Sequence, residues 1–396
     1  MYVNSEGDLM DASIERFLHS CVFAPDESLT AEELSGGNIN HIYRVTSGKT
    51  DRSVIVKVAK PESIISSDIV LDVSRGKLES KYINLCRTVL PNSLPEIYAY
   101  NENLNMIVMQ DMSRDYRLLR AALLERETPA FLAKQLAEFV AATTSFTSDF
   151  LLDQKEKKGL RGEYINPDMC GLTEDLVFSA PFLGAEDNSV LPCNESFVFA
   201  NIQSDRSVLK SAAKLKYDFM NNTQALIHGD LHFGSVFVSE SDICVFDPEF
   251  CFFGPIGFDL GNLFAHFLME YQYSCIEYGK YDNFSRWLFD SAAELIFLFV
   301  DEFKKRVNSS PADSMFDSED YLDDFIRSVL SDTAGFAGVE CLRRTVGIAK
   351  IPEFELLSES ERALMEKNTI ICGTALMKQM ESFKSPDDFA SFLASL

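Results

Sequence analysis

The spacing of apolar residues divides the chain into two regions of different character. Between residues 28 and 110 the apolar positions alternate with polar ones in short runs, each closed by Gly, Pro or Asn. A two-residue period marks strands with one buried face. Leu34 leads into Gly36-Gly37-Asn38-Ile39-Asn40, and His41–Val45 and Ser53–Ala59 follow. A helical stretch around Asp68–Val89 is punctuated by Pro91 and Pro95. Glu96–Tyr100 and Leu104–Gln110 read as a hairpin that turns at Asn101-Glu102-Asn103. This order predicts a small antiparallel sheet with one packed helix.

After Asp111 the period lengthens to that of a helix. Helices are predicted over Arg117–Leu124, Pro129–Phe146, Ser207–Asn221, Phe258–Tyr271, Asp282–Arg306, Tyr321–Gly347 (in one or two pieces) and Glu359–Phe383. In the second of these, Phe131, Leu132, Leu136, Phe139 and Val140 share one face. Residues 149–206 are less periodic and contain Pro167, Pro181 and Pro192, so a long ordered excursion is expected there. The whole pattern predicts the α+β class.

Two apolar runs deliver carboxylates onto turns. Ala225-Leu226-Ile227 ends at His228-Gly229-Asp230, and Ile243-Cys244-Val245-Phe246 ends at Asp247-Pro248-Glu249. Phosphoryl transfer needs one carboxylate to orient the attacking hydroxyl and others to hold Mg²⁺ against the phosphates of ATP. Asp247 and Glu249, close on one turn, repel each other unless a cation or a donor sits between them. His228 reads as a structural histidine bracing its loop, and Asp259 in Gly257-Phe258-Asp259-Leu260-Gly261 as a helix cap or a brace for the catalytic turn. In Ser53–Ala59, Lys57 shares a face with Ile55 and Ala59. A charge on an apolar face must find a partner or a ligand. Glu79 on the following helix is the candidate partner, and Glu62 and Glu102, on expected loops, are weaker ones. The glycines at 36 and 37 allow backbone N–H groups to approach phosphate closely.

Composition narrows the partners. A formal net charge of −25 argues against nucleic acid and against an anionic membrane surface. No uncharged apolar stretch reaches the ~18 residues that a membrane span needs, and Leu295–Val300 fits a buried helix. Met1–Phe17 is acidic without an apolar core, so no signal peptide is expected. Nine Cys without paired spacing read as reduced thiols, and the five His form no zinc-ligand pattern. The 32 Phe point to a large aromatic core. In so acidic a chain, Arg343-Arg344 form a guanidinium pair suited to a hydroxylated substrate or a phosphorylated product.

The motifs H-G-D-L-H-x-G-S, D-P-E-F and G-P-x-G-F-D-x-G, with Asn166-Pro167 through Cys170 and Thr173–Phe178, make the chain resemble the 5-methylthioribose kinases of the protein-kinase-like superfamily. The likeness runs from about Leu34 to about Phe383. It implies a bilobal α+β fold: a nucleotide-binding N-lobe over 1–112, a small antiparallel sheet with one main helix, and a larger, mostly helical C-lobe over 113–396 for catalysis and substrate. It implies ATP-dependent, Mg²⁺-dependent phosphorylation of the 1-hydroxyl of 5-methylthioribose in methionine salvage, by a cytoplasmic homodimer. By matched motif, Asp230 is the catalytic base and touches the sugar. Asp247, Pro248 and Glu249 serve the nucleotide, and Asp247 and Glu249 the metal. Asn40 and Lys57 contact ATP, Gln110-Asp111-Met112 is the hinge that reads adenine through its backbone, and Arg344 with Arg343 binds substrate. Three positions depart from relatives. Ser235 stands where the wider superfamily has Asn, Phe233 where this family has Thr, and Gln110 where it more often has Glu. Two alternatives stay open: another small-molecule kinase of the same fold, acting on an aminoglycoside, choline or homoserine, and a nucleotide-binding pseudokinase.

Overall fold

The alternating N-terminal third folds as a five-stranded antiparallel sheet. It comprises β1 (Leu29–Leu34), β2 (Asn40–Ser47), β3 (Ser53–Ala59), β4 (Ile97–Asn101) and β5 (Met106–Gln110), in the order β1-β2-β3-β5-β4. A computed structural model describes residues 12–34, 40–59, 71–309 and 312–396. Gly36, Gly37 and Glu62 lie outside the described residues. The chain divides into two compact units, one of Met1–Arg117 with Cys244–Phe250, the other of Leu118–Ile243 with Cys251–Leu396.

In the first unit the register sets Lys57 between Ile42 on β2 and Ile107 on β5. One sheet face is closed by a helix that the apolar spacing did not reveal, α1 (Ala12–Cys21). Its Ile14 and Leu18 join Tyr43, Val45, Val54, Val56, Met106 and Val108 in one core. Val54 and Val56 alternate with Lys57, so the lysine points to the opposite face. There lies α2 (Arg75–Cys86), shorter than the predicted stretch, whose Gly76 faces Ile107 and Tyr100. Val245 N–H donates to the Ser93 carbonyl at 2.8 Å, which ties the 244–250 segment to this unit.

The second unit is mainly helical. Its main members are α3 (Leu132–Thr147), α4 (Ile256–Glu277), α5 (Asn283–Ser309), α6 (Glu319–Val346) and α7 (Glu359–Gln379). The 321–347 pattern, open to one or two helices, is one unbroken helix. The 149–206 stretch is ordered, as expected, and it is helical rather than loop. It contains helices at Gln154–Glu163 and Pro167–Leu176 and shorter turns beyond. The Asp153 side chain accepts from the N–H groups of Lys155 and Glu156, and Pro167 opens the second helix, so local caps support segments too short to show a clear period. Strands Ala225–Ile227 and Phe252–Gly254 pair antiparallel.

Small residues bring α4 and α6 close. A Cβ on Gly261 would sit 2.7 Å from the Thr333 carbonyl oxygen, so any larger side chain would push the helices apart. This contact matters because α4 carries Asp259 and His266, and α6 carries Glu340, Arg343 and Arg344. All nine cysteines carry free thiols. No helix among the described residues is long and apolar enough to cross a membrane.

Candidate active site

Each unit holds a polar cluster that gathers expected site residues. In the first unit the cluster forms where β3, α2 and the 244–250 segment meet. Lys57 Nζ donates to Glu79 Oε2 at 2.7 Å and also to Asp247 Oδ1. Asn40 Nδ2 donates to Glu249 Oε2 at 2.7 Å. Arg75, only 1% exposed, reaches the same carboxylate oxygen from Nε at 3.3 Å and gives NH2 to Asn40 Oδ1 at 2.8 Å. Oxygens of Glu79, Asp247 and Glu249 lie within 4.8 Å of one another. Such hard donors suit a small divalent cation.

The electrostatics follow from three carboxylates sharing a buried space. Burial opposes the charge on Lys57, but Asp247, Glu79 and Glu249 outweigh it and hold its pKa above the ordinary lysine value. Burial raises both Glu79 and Glu249, against the pull of Lys57, and Asp247 adds to the rise. Raised to about 8, Glu79 holds its proton near neutral pH, so a cation entering among these oxygens would displace it. Asp247 adopts a left-handed backbone with φ of 67°, uncommon for a residue with a side chain and accepted by Asp more readily than most. Such strain is found where surroundings hold a functional group in place.

At Gln110-Asp111-Met112 the side chains are already engaged. Asp111 accepts from Ser53 Oγ at 2.7 Å and Arg44 Nε at 3.1 Å, and also from Ser113. Gln110 Oε1 accepts from the Glu96 N–H at 3.2 Å, and Met112 is buried. Part of its backbone is engaged too: the Gln110 N–H donates to the Glu96 carbonyl at 2.8 Å, and the Met112 carbonyl accepts from the Tyr116 N–H at 3.0 Å. Glu102 pairs with Lys77 at 2.8 Å and takes no part in the Lys57 cluster.

In the second unit the apolar strand Ala225–Ile227 ends in the His228-Gly229-Asp230 turn, where Gly229 has φ of 83°. Asp259 braces that turn. Its Oδ2 accepts from the His228 N–H at 2.7 Å and its Oδ1 from the Gly229 N–H at 3.0 Å. α4 begins earlier, at Ile256, and Asp259 is no helix cap. His228 is fully buried, and its Nδ1 accepts from the Asp230 N–H at 3.3 Å. Ser235 Oγ donates to the Asp230 and His232 carbonyls at 3.1 and 2.9 Å, locking the loop. Phe233 packs against Phe267, with ring centroids 4.8 Å apart, and serves the core.

Asp230 is 29% exposed and receives donors on both oxygens. Arg343 NH2 lies 3.1 Å from Oδ1, Arg344 NH2 3.8 Å from it, and His232 Nε2 3.3 Å from Oδ2. Burial works against ionising Asp230. His232, Arg343 and Arg344 work for it and hold the carboxyl well below the usual range. His232 is itself pushed down by burial, so it meets Asp230 as a neutral ring. Its Nδ1 accepts from the Gly234 N–H at 2.8 Å, which leaves the proton on Nε2, facing Asp230. Glu340, 1% exposed, takes Arg344 Nε at 2.8 Å and Arg343 Nε on its two oxygens.

The structure thus brings Asn40, Lys57, Glu79, Asp247 and Glu249 into one cluster, and Asp230, Arg343 and Arg344 into another beside the brace of His228 and Asp259. Sequence reasoning missed Arg75, His232 and Glu340. Each left a signal. Arg75 is a cation in a helix's first turn, where the dipole disfavours it. Glu340 precedes Arg343 and Arg344 by three and four residues, the spacing of neighbours on a helix. His232 stands two residues after Asp230.

Comparison with known proteins gives one consistent result. The phosphotransferase enzyme family matches residues 166–295. A methylthioribose kinase of Geobacillus kaustophilus (strain HTA426) is 33% identical over 375 residues, covering 94% of this chain and 93% of that one. A methylthioribose kinase of Bacillus cereus (strain ATCC 10987 / NRS 248) is 31% identical over 358 residues, covering 90% and 88%. Among solved structures, a choline kinase from Cryptosporidium parvum Iowa II aligns with a TM-score of 0.51 at 11% identity, covering 97% of this chain and 100% of that one. That likeness establishes a kinase-like α+β fold.

Proposed function

Because the chain belongs to the methylthioribose kinase family, we propose that it transfers the γ-phosphoryl group of ATP to the 1-hydroxyl of 5-methylthioribose, a step of methionine salvage. The observation that carries this reading is the state of Asp230: an ionised, partly exposed carboxylate at a braced turn, faced by two guanidiniums. A cationic acceptor such as choline or an aminoglycoside finds no unpaired carboxylate here, since both guanidiniums already engage Asp230 and Glu340, whereas a neutral polyol finds donors and an acceptor.

In the proposed mechanism the sugar's 1-hydroxyl donates to Asp230. The hydroxyl oxygen forms the new P–O bond, the bond from the γ-phosphorus to the β–γ bridging oxygen breaks, ADP leaves, and Asp230 takes the hydroxyl proton. A carboxylate with a depressed pKa is a weak base but a well-held acceptor. In a loose phosphoryl-transfer transition state positioning matters most. Arg344 and Arg343 bind the sugar and meet the charge of the emerging phosphate. Lys57, held by Glu79, serves the ATP phosphates together with Asn40 and Pro248, and Gln110-Asp111-Met112 reads adenine through its backbone. The first unit is the nucleotide-binding lobe, 1–112 in its main part, and 113–396 supplies catalysis and substrate binding. Asp247 and Glu249 would hold Mg²⁺. Their hard oxygens, grouped within 4.8 Å with one of Glu79, fit it. When bound, the ion neutralises charge on the phosphate oxygens.

The free thiols support a reducing compartment, the cytoplasm. The homodimer rests on family resemblance and is checked by light scattering. The deciding experiment is a coupled assay of ATP consumption over methylthioribose, ribose, choline, homoserine and kanamycin, with phosphorus NMR of the product. Turnover confined to methylthioribose, giving an anomeric phosphate, is the expected result. A clear preference for choline or kanamycin would overturn the substrate, and no turnover with any acceptor would favour a pseudokinase.

A further inference from the structure

We propose that Glu340 is the positioning and charge-balancing residue of the sugar site. It holds Arg343 and Arg344 by their Nε edges so that their outer nitrogens face Asp230, and it cancels charge that would otherwise favour the phosphorylated product over the neutral sugar. The identity of those two ligands rests on the function proposed above, but the geometry does not.

The three side chains are spaced as neighbours on one face of α6. Exposed pairs of this spacing contribute little, but this one is closed off from water. Glu340 is 1% exposed and the side chains of Arg343 and Arg344 are 11% and 10% exposed. Both oxygens of Glu340 are committed, Oε2 to Arg343 Nε, Oε1 to Arg344 Nε at 2.8 Å and to His266 Nε2 at 3.2 Å. His266 is in turn fixed. Its Nδ1 faces Arg120 NH2 at 3.5 Å, and Arg120 NH1 lies 2.6 Å from each oxygen of the fully buried Glu353. Burial pushes His266 well down, so it is a neutral donor to Glu340 and adds no charge. Glu340 is held well below the usual carboxylate range, against its burial, by Arg343 and Arg344.

The charge count then decides the consequence. Asp230 and Glu340 carry two negative charges and Arg343 and Arg344 two positive ones, so the group is formally neutral. A neutral sugar meets no net charge there, and a sugar phosphate gains none of the attraction of an unbalanced cation. Without Glu340 the two guanidiniums face one carboxylate. They repel each other in a site with little solvent to relieve them, and an anion becomes the preferred occupant.

The test uses the full chain with Glu340→Gln, which keeps size and removes charge, and Glu340→Asp, which keeps charge and shortens reach. Folding is checked by circular dichroism and by MgATP binding, which involves groups of the other unit. Expected for Glu340→Gln is a rise of ~10-fold or more in the KM for methylthioribose. The inhibition constant of the phosphorylated product should fall about tenfold, equivalent to ~1.4 kcal/mol. Glu340→Asp should raise the sugar KM without tightening the product. It carries the test alone if Glu340→Gln does not fold, because an aspartate indistinguishable from wild type would overturn the positioning role. A parallel rise of KM and product inhibition constant in Glu340→Gln would show a merely structural residue and overturn the charge-balancing role. Should wild type not phosphorylate methylthioribose, the functional reading fails on its own. The geometry is then tested by titrating inorganic phosphate into MgADP-saturated protein, where unchanged or undetectable binding in Glu340→Gln would overturn it.

Discussion

Replacing Asp230 with Asn separates the chemical role of this carboxylate from its structural one. The shape is retained, but one oxygen becomes an NH2 group and the charge is lost. Oδ1 faces Arg343 at 3.1 Å and Arg344 at 3.8 Å, and Oδ2 faces His232 at 3.3 Å. The amide oxygen can serve one of these sides, and the NH2 group meets a donor on the other. Because Asp230 is 29% exposed, solvent screens much of this, and the stability cost should be about 1 kcal/mol or less. Loss of an orienting acceptor at the reacting hydroxyl should lower kcat by ~10²–10⁴-fold. At ~1.36 kcal/mol per decade that is roughly 2.7–5.4 kcal/mol of barrier, several times the stability cost. The assay is ADP release with saturating methylthioribose, alongside a thermal melt and calorimetric MgATP binding, both expected to change little. The pH dependence adds a check. The folded pKa of Asp230 is depressed, so the ionised form and the stability it contributes are present above the ordinary 3.8 and are lost only as pH falls further. Wild-type kcat should therefore show no limb from this group at neutral or mildly acid pH. An Asp230→Asn enzyme within about threefold of wild-type turnover would refute the role, since general-base loss does not give so small an effect.

Three further outcomes are expected. Asp247→Asn, which tolerates the left-handed backbone better than Ala, should weaken Mg²⁺-dependent ATP binding far more than metal-free binding; equal losses would point to other metal ligands. Arg344→Lys cannot reproduce contacts to Glu340, Asp230 and the Ala349 carbonyl at once, so the sugar KM should rise ~10–100-fold with the KM for ATP unchanged; the reverse pattern would place this residue on the nucleotide. Asp332 is raised by burial to about 7, against the pull of Lys214. With a folded pKa above the ordinary 3.8, its contribution to stability is full below that value and is lost as pH rises through about 7. Asp332→Asn should flatten this part of the denaturation profile, and an unchanged slope would exclude the group as its source.

What the sequence determined is what repeats locally or is fixed by short motifs. Alternation in Ser53–Ala59 put Lys57 opposite Val54 and Val56, and the register bears this out. Long helices such as α6 and α7 were legible because many turns repeat one apolar face. The 154–176 helices were not, because a segment of ten residues offers few turns and relies on caps. The turns bearing Asp230, Asp247 and Glu249 were legible as apolar runs ending in carboxylates. Tertiary structure alone decided which groups share space. α1 covers one sheet face and so leaves the other to Lys57 and α2. Arg75 and Asn40 converge on Glu249 across 174 and 209 residues of chain. Glu340 meets His266 across the helix pair whose close approach Gly257 and Gly261 permit, and Asp259 braces a turn thirty-one residues before it. Sequence spacing reports which residues face the same way on one element. Which charges lie within a few ångströms, and so which pKa values move, depends on how elements pack, and no local pattern encodes that.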